Sequence, residues 1–296
     1  MKTLKKLIIT MRPAQWVKNL FVAAPALFAK DHALVDPSIF LKAAFATGTF
    51  ILLASSVYIL NDVLDIEKDR LHPVKSKRPV ASGELSIQAA LAGGLISLSI
   101  AVVLGYSLGP IFGIIAIGYL VLNVAYATFL KKIPWLDVLS IATGFLLRIL
   151  AGSYAIGLEK HEISFYLLLC TFLVALFLAL GKRRQELTLL GDKSHSHRSS
   201  LKLYTLKSLD VAMFTVAALT FAAYVAYTIS PSTRAYFGTS KLIFTSPFVL
   251  IGIVRFIMIL RRKDDPRSPT DAMIHDWPFI INILAWIAVV VWAIYG

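Results

Sequence analysis

Residues 58–83 read YILNDVLDIEKDRLHPVKSKRPVASG and concentrate charge in a chain that is otherwise oily. At about 100° per residue, Tyr58, Asp62, Asp65 and Asp69 fall within roughly 60° of one another on one helical face, while Glu67 points to the other side. Three carboxylates looking into one space repel one another unless a cation lies between them. Asn61 adds a neutral oxygen beside them, and His72, Lys75, Lys77 and Arg78 follow at once. A row of acid and a row of base flanking one site is the layout for a magnesium-bridged phosphate: carboxylates hold the hard cation and basic side chains hold the remaining oxygens. A helix end carrying solvated charges is the plainer alternative.

The 296 residues are 57% hydrophobic with a mean hydropathy of +0.73, too apolar for an ordinary soluble domain and in keeping with an all-α integral membrane protein. The formal net charge of +13 raises the question of nucleic acid, but the basic residues lie between apolar runs and form no extended arm. Anionic lipid headgroups and phosphorylated substrates fit them better. The single cysteine, Cys170, sits inside an apolar run, which excludes an intrachain disulfide and a cysteine-based metal site and leaves a packing role.

Apolar runs able to cross the roughly 30 Å hydrocarbon core as helices lie near 19–35, 38–60, 86–107, 110–130, 136–157, 163–182, 209–229, 241–260 and 277–296. About nine transmembrane helices in a single polytopic domain over 1–296 are therefore expected. Pro25 interrupts the first, and Lys30 and Asp31 crowd its end. The start, MKTLKKLIITMRPAQWVKN, is basic and lacks a small-residue cleavage site, so it reads as an interfacial helix with Trp16 at headgroup level. With the N-terminus inside, 23 of the 30 lysines and arginines fall in inner segments and only Lys30, Lys160, Arg234 and Lys241 in outer ones. That asymmetry places the N-terminus and the acidic stretch in the cytoplasm.

Other polar residues gather at the same level. Lys18 lies where the chain enters the membrane and can turn to a bound phosphate or snorkel to headgroups. Tyr126, Lys131 and Lys132 end the fourth span. After the sixth, GKRRQEL sets Lys182 and Glu186 one helical turn apart beside Arg183 and Arg184, either as a second charged wall or as positive-inside anchors. Arg148 lies within the fifth span among Gly144, Ala151, Gly152 and Ala155; a guanidinium there must face the interior or a wet cavity, as a functional group or as a structural pair. His195 and His197 read as solvated loop residues rather than metal ligands, and Arg255 as a snorkelling group.

NDVLDIEKD resembles the N-D-x-x-D-x-x-x-D signature of the UbiA superfamily of intramembrane prenyltransferases, and the resemblance extends over the whole chain as a bundle of nine helices with two charged cytoplasmic loops. Conventional members that prenylate aromatic acceptors carry a second Asp-rich motif after the sixth span, where this chain has GKRRQEL. RPAQWVKN and DRLHPVKSKRPVASG look like the decaprenyl-phosphate phosphoribosyltransferase branch. That resemblance implies transfer of phosphoribose from phosphoribosyl diphosphate (PRPP) to a polyprenyl phosphate for cell-wall glycan precursors, in a bacterial plasma membrane.

On that reading Asp62, Asp65 and Asp69, with Asn61, are expected to hold Mg2+ and the diphosphate, and Tyr58 to orient the sugar or the diphosphate. Lys18, Lys75 and Arg78 are expected to hold phosphates, and Lys182, Arg183 and Glu186 to complete the opposite wall, with Arg148 and Tyr126 as further substrate contacts. Loops 61–85 and 183–208 then form the mouth of the site. A lipid phosphate is ionised at neutral pH, so no strong general base is needed. An aromatic-acceptor prenyltransferase is the enzymatic alternative. A transporter would place its polar groups near the bilayer midplane. A homo-oligomer remains open.

A cysteine at position 76 of a functional variant is expected to react with membrane-impermeant thiol reagents only from the cytoplasmic side. Strong labelling from outside intact cells would overturn this topology.

Overall fold

The computed structural model describes residues 2–71, 74–190, 201, 203–262 and 269–296, and holds no strand among them. Eight helices in the described residues are long and apolar enough to cross a membrane, so the protein is an all-α, multi-pass membrane protein. The ninth expected span, 19–35, is broken. A 3-10 helix runs over Pro13–Val22, followed by the short helices Ala24–Phe28 and Lys30–Val35. Pro25 is tolerated in the first turn of its helix, where no donor is missed, and the polar Lys30 and Asp31 start the next piece. Two compact units make up the chain.

The first unit comprises Met1–Ala26, His32–Lys131 and Leu147–Glu162. It contains α1 (Lys2–Thr10), α2 (Ile39–Leu64), α3 (Ile66–Arg70), α4 (Ile87–Ser107), α5 (Pro110–Thr128) and the latter part of α6 (Leu136–Ala155). Helix α2 is its centre: 61% of its most apolar window is buried, against 17% for each of α4 and α5. Apolar burial gains little in lipid, so close backbone approach and hydrogen bonds must hold the helices together. Ser97 of α4 donates to the Leu52 carbonyl of α2 at 2.9 Å, and the Phe50 ring lies 5.7 Å from Phe112 and 5.2 Å from Tyr119. The 3-10 segment packs its backbone directly on α6 at Gly152, where a Cβ would stand 1.8 Å from the Val22 carbonyl oxygen.

The second unit comprises Leu27–Asp31, Lys132–Leu146 and Ile163–Gly296. Here α7 (Phe165–Leu190) lies along α8 (Leu206–Ile229), and α9 (Ser246–Leu260) packs on α10 (Trp277–Tyr295). Thr205 and Ser208 cap α8 reciprocally, which fixes where that helix starts. Asp276 caps α10 through the Phe279 amide and accepts two hydrogen bonds from Arg255, both at 2.9 Å, and one from Arg262 at 3.0 Å. The Arg255 hydrogen bonds hold the Asp276 carboxyl below its ordinary value. Arg255 is therefore a helix-joining fork rather than the snorkelling group expected, because its carboxylate partner arrives from 21 residues away. Cys170 packs beside Tyr224 and Tyr227, as a packing residue should.

Gly152→Ala is expected to lower stability by about 1–3 kcal/mol, since the Pro13–Val22 segment must move to admit the methyl. Gly113→Ala in α5, with open space around it, should be neutral or stabilising by about 0.5–1 kcal/mol. Thermal unfolding of both variants in detergent checks the pair.

Candidate active site

Helix α2 carries Tyr58, Asn61 and Asp62, then leaves helical geometry at Asp65 (φ −101°, ψ 13°) before α3 resumes. Asp62 and Asp69 nevertheless stay on one side. Both are buried, and both accept from the same atom, Arg78 Nη1, at 3.1 and 2.6 Å. Arg12 also donates to Asp62, and its guanidinium lies 5.2 Å above the Tyr58 ring. Asp65 is turned away by the break at its own residue and receives Lys131 Nζ at 2.6 Å. Two of the three expected carboxylates thus converge on one point, and the third has a separate partner.

Arg12 has a left-handed backbone (φ 57°, ψ 68°) immediately before Pro13. Proline pushes the preceding residue towards extended geometry, and such a conformation costs on the order of 1–3 kcal/mol. Its ion pair and its stacking on Tyr58 oppose that cost. Sequence reasoning did not single out Arg12 or assign Lys131 a partner; the only local signal was that Arg12 opens RPAQWVKN and Lys131 ends a span.

The residues fit a divalent cation as a pair rather than as a triad. Asp62 Oδ1 and Asp69 Oδ2 face a common point, held here by Arg78 Nη1, and the buried Asn61 Oδ1 accepts no hydrogen bond from the described residues. Hard oxygen donors of this kind suit Mg2+, which typically takes one or two carboxylates and completes its shell with water and substrate phosphates. Among the described residues no three Asp, Glu, His or Cys side chains are grouped to hold one ion.

Deeper in the first unit, Arg148 donates from Nε to Asn19 Oδ1 at 2.9 Å and from Nη2 to Tyr119 Oη at 2.7 Å, with its guanidinium 4.7 Å from the Tyr119 ring. It faces the interior, as an intramembrane arginine must. Asn19 and Tyr119 are partners that spacing did not reveal.

The second unit has its own charged cluster. Arg183 is fully buried, with Nε 3.5 Å from Asp137 Oδ2 and Nη1 2.5 Å from Glu186 Oε2. Tyr204 Oη donates to Asp137 Oδ1 at 2.7 Å and accepts the Trp135 amide at 2.7 Å. Burial pushes the Tyr204 hydroxyl far up, so it remains a donor. The guanidinium of Arg183, expected to contact substrate, is enclosed and braces the start of α6 against the end of α7. Asp137 was missed, although an acid opening an apolar span was a signal.

The sequence profile of the UbiA prenyltransferase family matches residues 19–284. The chain belongs to the UbiA prenyltransferase family. Over 301 residues it is 32% identical to the decaprenyl-phosphate phosphoribosyltransferase of Corynebacterium glutamicum, covering 98% of this chain and 86% of that one. Over 297 residues it is 31% identical to the enzyme of the same name from Mycolicibacterium smegmatis, covering 98% and 92%. Among solved structures, a UbiA homologue from Archaeoglobus fulgidus bound to GPP and Mg2+ superposes with a TM-score of 0.72 at 17% identity, covering 98% of this chain and all of that one.

In this UbiA-family chain the remaining expected residues are placed as follows. Lys18 is half-buried in the 3-10 segment beside Asn19, Tyr126 is half-buried near the end of α5, and Lys75 is exposed in the turn Lys75–Lys77. Lys182 and Glu186 lie on α7, which continues past the expected span end, and Glu186 accepts from Arg183. His72, His195 and His197 lie outside the described residues.

Asp137→Ala is expected to cost about 3–5 kcal/mol, because it leaves the Arg183 charge buried without that carboxylate. The double variant Asp137→Leu, Arg183→Met should recover much of the loss. Unfolding midpoints in detergent decide, and equal losses in single and double variants would contradict the brace.

Proposed function

We propose that this protein transfers 5-phosphoribose from PRPP to a polyprenyl phosphate and releases diphosphate, at the cytoplasmic face of a bacterial plasma membrane. The observation that carries this reading is the basic character of the acidic site: Arg12, Arg78 and Lys131 stand against Asp62, Asp69 and Asp65. A donor with a diphosphate and a separate phosphate, met by a phosphate acceptor, needs that many cations; a prenyl diphosphate presents one anionic end. The basic GKRRQEL after the sixth span and the two relatives named as phosphoribosyltransferases support the same choice.

Asp62, Asp69 and Asn61 would hold Mg2+, which supplies neutralisation of charge on the departing diphosphate. Arg78, Lys75 and Lys18 bind phosphate oxygens, and Tyr58 orients the donor between the acidic end and Arg12. Tyr126 and Arg148 are retained as further contacts. An oxygen of the lipid phosphate bonds to the anomeric carbon as the bond from that carbon to the diphosphate oxygen breaks, and the electron pair leaves with diphosphate. No proton moves, since the attacking phosphate is already ionised. Nothing in the sequence marks a nucleophile placed for a ribosyl intermediate, so direct attack inverts the anomeric configuration.

Purified protein given PRPP and polyprenyl phosphate should yield polyprenyl phosphoribosyl phosphate of inverted configuration, identified by mass spectrometry and NMR. EDTA should abolish turnover, and Asp62→Asn or Asp69→Asn should lower it by about a hundredfold or more. Prenyl transfer to an aromatic acid, with no reaction between PRPP and polyprenyl phosphate, would overturn the substrate assignment.

A further inference from the structure

The three carboxylates of the acidic stretch already have three positive charges on them. Asp62 Oδ1 accepts from both Arg12 and Arg78, Asp69 from Arg78, and Asp65 from Lys131. The two sides of these pairs are built differently. In the pair of Lys131, 18% exposed, with Asp65, 27% exposed, the acid is the more open side, but the Asp62 and Asp69 side chains are only 3% and 4% exposed against 27% and 30% for Arg12 and Arg78. Fixed, buried acids are thus met by long, flexible cations that keep access to water. The Arg183 brace lacks this asymmetry, with both its guanidinium and Asp137 wholly enclosed.

A magnesium-sized cation binds a carboxylate oxygen at about 2.0–2.1 Å. A guanidinium nitrogen on the same oxygen would then be a like charge at close range in a partly desolvated setting, which is strongly repulsive. Side-chain cation and metal therefore compete for Asp62 and Asp69. Diphosphate changes the balance, because its oxygens offer the displaced groups charge-assisted hydrogen bonds as good as those they give up.

Resting on the function proposed above, we propose that Arg12 and Arg78 are exchangeable counter-ions. They neutralise Asp62 and Asp69 until diphosphate arrives, then release these carboxylates to the divalent cation and turn to the diphosphate oxygens. Arg12 joins Arg78 as a substrate-binding residue, and metal and diphosphate enter the site together. The left-handed backbone of Arg12 is consistent with a residue held under strain by an ion pair that is later exchanged.

The test is Mn2+ binding by the full-length protein in detergent, followed by electron paramagnetic resonance, with Mn2+ alone and with inorganic diphosphate added. Wild-type protein is expected to bind Mn2+ weakly alone and at least about tenfold more tightly with diphosphate. Arg12→Gln and Arg78→Gln should each bind Mn2+ alone about three- to tenfold more tightly than wild type, and the enhancement by diphosphate should shrink by a similar factor. Arg78→Gln leaves the Arg12 ion pair on Asp62 in place and carries the same test where Arg12→Gln fails to fold. Variants that bind Mn2+ alone as weakly as wild type, or more weakly, would make these cations permanent braces and overturn the exchange. In that case the proposed reaction stands if Asp62→Asn still removes the diphosphate-dependent Mn2+ signal. Wild-type protein with no Asp62-dependent signal even with diphosphate would overturn the metal reading and the exchange together.

Discussion

A carboxylate at the end of a membrane helix must be matched by positive charge, and Asp62 draws that charge from two directions. Arg12 reaches it from 50 residues upstream and Arg78 from 16 downstream. Breaking a buried pair of this kind leaves an uncompensated charge, at a cost of roughly 3–5 kcal/mol. The pairing therefore does more than neutralise. It fixes where the Pro13–Val22 segment begins and where the chain returns after α3, so the entry to the first unit is set by the acid at its centre.

The rest of the first unit is arranged so that this entry can lie close. Gly152 admits the Val22 carbonyl against α6, and one helical turn earlier Arg148 holds Asn19 of the same 3-10 segment. A segment with a proline at its start and few apolar side chains facing in could not be held by dispersion alone within lipid. Polar contacts at both ends and a bare backbone surface in between take over. The 3-10 geometry is what remains when the expected first span is too interrupted to cross as one helix.

The second unit solves a similar electrostatic problem with a different result. Arg183 and Asp137 neutralise each other with no solvent access, and Tyr204 keeps the second Asp137 oxygen occupied. Burial holds the Tyr204 hydroxyl protonated, so the network keeps its donors and acceptors in register across the ordinary pH range. Of the two charged clusters, the one whose cations are partly exposed is suited to exchange partners with a ligand, and the enclosed one is suited to keep helices in place.

Hydropathy alone determined the helical membrane class and the positions of eight spans, because a stretch of about 20 apolar residues has few alternatives in a bilayer. Helical periodicity likewise placed Asp62 and Asp69 on a shared side, since that relation is local. Only the tertiary structure decided that Asp65 belongs to Lys131, that Arg12 completes the acidic site, that Arg148 holds Asn19, and that Arg183 is sealed against Asp137. Those pairs join residues 66, 50, 129 and 46 positions apart, as between Asp65 and Lys131, Arg12 and Asp62, Asn19 and Arg148, and Asp137 and Arg183. No spacing rule reaches so far. A charge in a sequence shows that a partner is required, and only the packing of helices in three dimensions selects which one it meets.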